Sequence, residues 1–212
     1  MELLSALVDL VLHLDQHLRT LTDNYGNWVY VILFLIVFLE TGVVVTPFLP
    51  GDSLLFVAGA LAASGALDVN LLVVLLILAA VLGDSLNYSI GHFLGPRVFG
   101  FRDSRFFKRA YLEKTQAFFA RHGGKTIVIA RFVPIVRTYA PFVAGIGTMH
   151  YRRFLAFNVG GAILWVTSLT WAGYFFGNLP IVRNNLTAVI LGIVFLSILP
   201  GLIELWRGRR AS

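Results

Sequence analysis

The chain contains no cysteine. Disulfides and thiol chemistry are excluded, and cysteine usage gives no reading of the redox compartment. Charge is scarce too: 13% of the 212 residues are Asp, Glu, Lys or Arg, against 58% hydrophobic residues and a mean hydropathy of +0.80. That balance excludes an ordinary soluble domain and points to a membrane protein. A secretory signal is not expected, because Met1-Glu2-Leu3 offers no basic n-region and no small-x-small cleavage site follows. With no low-complexity linker, the chain reads as one main domain.

The few charges are unevenly placed. Net charge is +6, and of 17 Lys and Arg, eight fall in 97–125 and three in 207–210. Each cluster abuts an apolar span, as cytoplasmic loops do under the positive-inside rule. That explains the basic balance better than a nucleic-acid partner, and no such partner is expected.

Residues 1–24 read as an amphipathic interfacial helix. Glu2, Ser5, Asp9, Gln16 and Thr20 recur near helical spacing, with leucines and a valine opposite. His13 and His17 stand four apart but lack further ligands, so a solvated polar face is expected and no metal. Residues 25–207 form the membrane domain, and 208–212 a basic cytoplasmic tail. Apolar spans are expected at 28–45, 71–94, 154–177 and 186–206. Two further apolar segments, 43–63 and 126–147, are interrupted by proline. The first breaks at Pro47 and Pro50-Gly51, the second at Pro134 and Pro141. Two short limbs around such a break suit a re-entrant hairpin, because irregular backbone survives at membrane depth only where protein or water covers it. The basic segment 97–125 carries a helix, capped by Asp103 or Ser104 and stopped at Gly123-Gly124. It suits either an interfacial helix on anionic headgroups or a plain cytoplasmic loop.

The fold class is therefore an all-α polytopic membrane protein. Placing the basic segment and tail in the cytoplasm puts both termini there and makes the two hairpins enter from opposite faces. Glu40 precedes Pro50 by ten residues, as Arg131 precedes Pro141, and Gly91 and Gly95 recur 82 residues later as Gly173 and Gly177. A re-entrant hairpin followed by a transmembrane helix thus occurs twice in opposite orientation, the inverted-repeat logic of secondary transporters.

The chemistry lies at the breaks. Glu40, Asp52 and Asp84 stand in otherwise apolar segments, as do Arg131 and Arg137. A charge at membrane depth costs roughly 2.5–3.5 kcal/mol on insertion scales, so such residues face a cavity or a partner. Asp52 also suits a cap on the second limb of its hairpin, and Asp84 suits either a proton site or a polar helix contact. Glu40 is no cap. A low-dielectric site favours the neutral form of a carboxylate, which makes Glu40 a proton-coupling candidate with Asp52 and Asp84. The planar forks of Arg131 and Arg137 suit a phosphate; ion pairs with Glu40 and Asp52 are the structural alternative, and the two states can exchange. Tyr88 and Tyr139 are further hydroxyl donors or plain packing residues. Gly-Asp-Ser-Leu occurs at 51–54 and 83–86, a string shared with serine esterases, but no paired His–Asp signature follows and no enzyme is expected.

Phe38-Leu39-Glu40-Thr41, Pro47-Phe48-Leu49-Pro50-Gly51-Asp52, Gly83-Asp84-xxx-Tyr88-xx-Gly91 and Ala130-Arg131-Phe132-x-Pro134-xx-Arg137-xxx-Pro141-xx-Ala144-Gly145 together resemble the DedA family of bacterial inner-membrane proteins, which share the SNARE-associated or VTT domain. The resemblance covers about 28–207. His92 stands where many relatives carry arginine. The resemblance implies opposed re-entrant hairpins, dependence on the proton-motive force and lipid translocation, with undecaprenyl phosphate or a phospholipid as substrate. It implies that Glu40, Asp52, Arg131 and Arg137 are the essential positions. The expected partners are a lipid phosphate, membrane lipids and protons, without a cofactor; the oligomeric state stays open, a homo-oligomer included. Two other functions fit the same residues: a proton-coupled exporter of small cations or drugs, and a non-transporting membrane assembly factor.

Overall fold

The computed structural model describes residues 26–43, 51–94, 109–132, 134–177 and 179–183, with Thr20, Val189, Leu191 and Gly192 besides. Every regular element among them is helical: α1 (Trp28–Gly42), α2 (Gly51–Ala63), α3 (Val69–Leu94), α4 (Arg109–His122), α5 (Thr126–Ala130), α6 (Pro134–Val143), α7 (Tyr151–Phe176) and α8 (Pro180–Arg183). Where water is absent, a helix is the way one segment satisfies all its own backbone groups. The interfacial helix of 1–24, Pro47 and Pro50, the span at 186–206 and the basic tail lie outside the described residues, Thr20, Val189, Leu191 and Gly192 apart.

α3 and α7 are each 26 residues and apolar enough to cross a membrane. At about 1.5 Å per residue each measures roughly 39 Å, more than the ~30 Å hydrocarbon layer. α1 has 15 residues, or roughly 22 Å, so it does not reach across that layer by itself. Its end is local: Val43 is extended at φ −112°, ψ 119°, with its N–H still held by the Leu39 carbonyl. The start of α3 is capped by Asp68, whose Oδ1 accepts from the backbone N–H of Asn70 at 2.8 Å and of Leu71 at 2.9 Å. The Asp68 N–H in turn donates to the Tyr30 hydroxyl at 2.7 Å, tying the start of α3 to α1.

α3 is apolar on its outer face as well as its inner one. Leu71, Val74, Leu78, Leu82, Leu86 and Ile90 form an exposed apolar stripe, whereas Asp84 and Asn87 are buried. A stripe at this spacing faces solvent only where the solvent is lipid.

Two glycine-lined contacts place the shorter helices on the long ones. α2 lies on α7, where a Cβ at Gly59 would strike the Thr170 carbonyl and one at Gly173 the Phe56 carbonyl. α6 and the following turn lie on α3, where a Cβ at Gly91 would strike the Phe142 carbonyl and one at Gly145 the Tyr88 carbonyl. Gly173 follows Gly91 by 82 residues, and Gly145 follows Gly59 by 86. Each broken segment therefore packs its second limb on the long helix that belongs to the other. Small residues permit this approach in membranes, where dispersion rather than water expulsion holds helices together. Gly173→Val is expected to destabilise the purified protein by about 1–3 kcal/mol through overpacking. Gly160→Val, where a Cβ meets nothing within 4 Å, should leave thermal unfolding in detergent unchanged.

The second broken segment differs from its sequence expectation at one proline. α5 ends at Ala130, Arg131 and Phe132 form a turn, and Pro134 opens α6. Pro141 instead lies inside α6, and the chain leaves α-geometry only at 144–148, a π-helical turn. Proline removes the N–H that the carbonyl four residues earlier would accept. A π turn close by is one of the adjustments by which membrane helices absorb that loss. α4 ends where expected, with Gly123 at φ +58° leading into a short 3₁₀ turn over Gly123–Lys125.

Candidate functional site

Two apolar clusters divide the interior. One joins Leu33, Val37, Leu55, Leu72, Leu76 and Trp165; the other joins Tyr88, Ile127, Val136, Tyr139, Phe142 and Phe154. Asp84 and Asn87 of α3 and Asn158 of α7 are the buried charged and amide residues of these two helices.

The break between α1 and α2 supplies two carboxylates. Glu40 sits in the last turn of α1 and Asp52 in the first turn of α2. Gly51 lies directly against the Glu40 carboxylate, and any Cβ there would collide with it. From α6, Arg137 reaches both: Nη2 donates to Glu40 Oε1 at 2.8 Å and Nη1 to Asp52 Oδ1 at 3.0 Å. Trp165 of α7 closes the group. Its Nε1–H donates to the same Asp52 Oδ1 at 2.8 Å, and its ring centroid lies 4.2 Å from the Arg137 Cζ.

The turn between α5 and α6 supplies Arg131. Its Nη2 donates to Asp84 Oδ2 at 2.5 Å and to Asn158 Oδ1 at 2.6 Å. Asn158 Nδ2 is held in turn by the Val81 carbonyl at 3.1 Å. The Arg131 Cζ lies 5.6 Å from the Trp165 centroid, so the two guanidiniums share one indole. Asn87, fully buried one turn beyond Asp84, donates to the Thr41 carbonyl at 3.2 Å and the Thr138 carbonyl at 3.0 Å, joining the end of α1 to α6.

The two groups differ in access. The side chains of Arg131 and Asp84 are 3% and 7% exposed, those of Arg137 and Asp52 15% and 21%. Arg131 is enclosed and Arg137 is reachable.

The structure brings all five charged candidates together but redistributes the partners. The structural alternative read from the sequence pairs the two arginines with Glu40 and Asp52; in the fold Arg137 takes both of these, and Arg131 takes Asp84. Tyr88 is not a donor to the site, because its hydroxyl is bound to the Met149 carbonyl at 2.6 Å. Tyr139 is buried in the second apolar cluster. His92 is exposed, with Nδ1 3.3 Å from the Gly145 carbonyl. The Ser85 hydroxyl of the second Gly-Asp-Ser-Leu string donates back to the Val81 carbonyl at 2.7 Å, as a hydroxyl in an apolar helix does. Asn87, Asn158 and Trp165 were not among the sequence candidates. Asn87 and Asn158 were detectable as lone amides in long apolar runs.

The VTT domain family matches residues 49–175, which hold every charged and amide residue of the site except Glu40. Protein DedA of Escherichia coli (strain K12) is 58% identical over all of this chain and 98% of its own length. The chain belongs to the DedA family. "Uncharacterized membrane protein ML0287" of Mycobacterium leprae is 48% identical to this DedA-family chain over 84% of it and 79% of the relative. "Inner membrane protein YghB" of Escherichia coli (strain K12) is 37% identical over 93% and 90%. These relatives are named as membrane proteins rather than as enzymes. No solved structure matches the chain.

Proposed function

We propose that this DedA-family chain moves a lipid with a phosphate headgroup, undecaprenyl phosphate or a phospholipid, between the leaflets of the bacterial inner membrane, driven by the proton-motive force. The observation that carries this reading is the Arg137 fork, held by two carboxylates, one from the end of α1 and one from the start of α2. A phosphate offers the same paired oxygens as those two carboxylates. Protons arriving at Glu40 and Asp52 neutralise them, and Arg137 is then free to accept the headgroup. Arg131 adds a second cation behind it, with Asp84 as a third proton carrier. The lipid tail stays in the bilayer.

The fold is proposed as four spans and two re-entrant hairpins, about 43–63 and 126–147, within a domain over 25–207. An interfacial helix over 1–24 and a basic tail over 208–212 lie in the cytoplasm with both termini. The exchanged glycine contacts of α2 on α7 and α6 on α3 support an inverted repeat, since each is the counterpart of the other. Opposed hairpins give the site alternate access. A homo-oligomer is compatible with this arrangement.

A cation exporter fits less well, because Arg137 already occupies the space between the carboxylates that a cation would take. One observation favours the assembly-factor reading: the carboxylates and arginines are already paired with one another. Purified protein in liposomes tests lipid movement against both alternatives. Labelled undecaprenyl phosphate and labelled phosphatidylethanolamine are supplied on one leaflet with an imposed pH gradient. Movement of one of them above protein-free vesicles, faster with the gradient than without, is the expected result. Folded wild-type protein that moves neither lipid leaves the cation exporter and the assembly factor.

A further inference from the structure

We infer that Trp165 is a positioning residue that sets the affinity of the Arg137 site for a phosphate headgroup, by holding Arg137 and Asp52 separately while the anion replaces their ion pair. This rests on the phosphate-lipid reading above. Trp165 is almost fully buried at 1% exposure, and it contacts both members of the pair with different atoms. Its ring face lies under the Arg137 guanidinium at 4.2 Å, and its Nε1–H donates to Asp52 Oδ1 at 2.8 Å.

The geometry matters when the pair opens. An anion that takes Nη1 and Nη2 of Arg137 displaces Asp52 and Glu40 from those donors. A guanidinium without its carboxylates in an apolar interior is expensive unless something else stabilises it. An indole face does so through the attraction of the ring quadrupole for the positive charge, which takes up none of the cation's hydrogen-bond donors. Arg137 can therefore keep its stacking contact while its whole fork turns over to phosphate. Asp52 is not left unpartnered either, since the indole N–H still donates to it. Phenylalanine or leucine at 165 would supply only one of these contacts or neither.

The same ring lies 5.6 Å from the Arg131 Cζ. That cation is already occupied by Asp84 and Asn158 and is enclosed, so the exchangeable contact is the one to Arg137.

Fluorinated tryptophans test this directly, because each fluorine weakens the ring face at nearly constant volume. Mono-, di- and trifluoro-tryptophan are placed at 165 by nonsense suppression, alongside Trp165→Phe. Transport of labelled lipid phosphate into the opposite leaflet of liposomes is measured against lipid concentration. The half-saturating concentration is expected to rise stepwise, by about tenfold across the series, with the maximal rate within about twofold. Trp165→Phe, which keeps a face but loses the N–H donated to Asp52, should raise the half-saturating concentration more than the first fluorine does. A half-saturating concentration independent of fluorine number, in protein that does move lipid phosphate, overturns the role of Trp165 alone. Wild-type protein that moves no phosphate-bearing lipid overturns both this inference and the reading beneath it.

Discussion

Arg137→Lys is expected to fold, reach the membrane and lose about tenfold to a hundredfold of lipid-phosphate movement. The charge is kept, but the fork is not. Arg137 spans Glu40 and Asp52 with two different nitrogens, at 2.8 and 3.0 Å. An ammonium is a compact point charge and cannot offer two parallel donors in a fixed plane. A hydrogen bond to a charged group contributes about 1.5–3 kcal/mol, so losing one from the anion complex corresponds to that range of rates. Lysine also gives up guanidinium stacking on Trp165. The charge swap Glu40→Arg with Arg137→Glu provides the control. It restores opposite charges between positions 40 and 137 but also sets a carboxylate beside Asp52, so it is expected to recover part of the thermal stability in detergent without recovering transport, since the phosphate-binding fork now leaves from the wrong helix. Normal transport by Arg137→Lys in liposomes would remove the anion site; recovery of transport by the swap would make the pair purely structural.

What could be read in the chain before folding follows from which signals are local. Helical class, the long spans of α3 and α7 and the stop at Gly123 are consequences of residues within a turn or two of one another. The five charged candidates were visible because each interrupts an apolar run; in the fold Glu40, Asp84 and Arg131 are buried, and Arg137 and Asp52 partly so. Their pairing was not visible. Arg131 and Asp84 are 47 positions apart, and Arg137 and Asp52 are 85 apart. Which carboxylate meets which arginine depends on the rotation of α3 and α6 about their own axes. That rotation is fixed by the contacts of Gly91 and Gly145, whose partners are backbone carbonyls and carry no side-chain signature. Trp165 was missed for a related reason. A tryptophan in an apolar span reads as a belt residue near the interface, and only the approach of α2 and α6 to α7 turns its two ends into a donor and a cation platform. Pro141 was misplaced as a break because proline marks a lost hydrogen bond, while the π turn that absorbs the loss leaves no mark in composition.

Asp84→Leu tests the enclosed pair and carries the largest expected cost to folding. The substitution strands Arg131 at 3% exposure with Asn158 as its remaining side-chain hydrogen-bond partner. Removing one member of a buried ion pair costs about 3–5 kcal/mol, because the survivor is left charged in a medium that cannot solvate it. The purified variant should therefore unfold at a markedly lower temperature in detergent, or fail to accumulate. Arg131→Met added to Asp84→Leu removes the stranded charge as well. Apolar replacement of both members of a buried pair is often neutral or stabilising, and here the unpaired Asn158 carbonyl oxygen subtracts about 1–3 kcal/mol from that recovery. The double variant is expected to regain most of the thermal stability lost by the single one. Its transport separates the two roles of Arg131. If Arg131 supplies the second cation behind Arg137, or Asp84 carries a proton, the refolded double variant stays inactive toward lipid phosphate although Arg137, Glu40 and Asp52 are untouched. Full transport by that variant would show that Arg131 and Asp84 serve only to fasten the α5–α6 turn to α3, and would leave the headgroup to Arg137 alone.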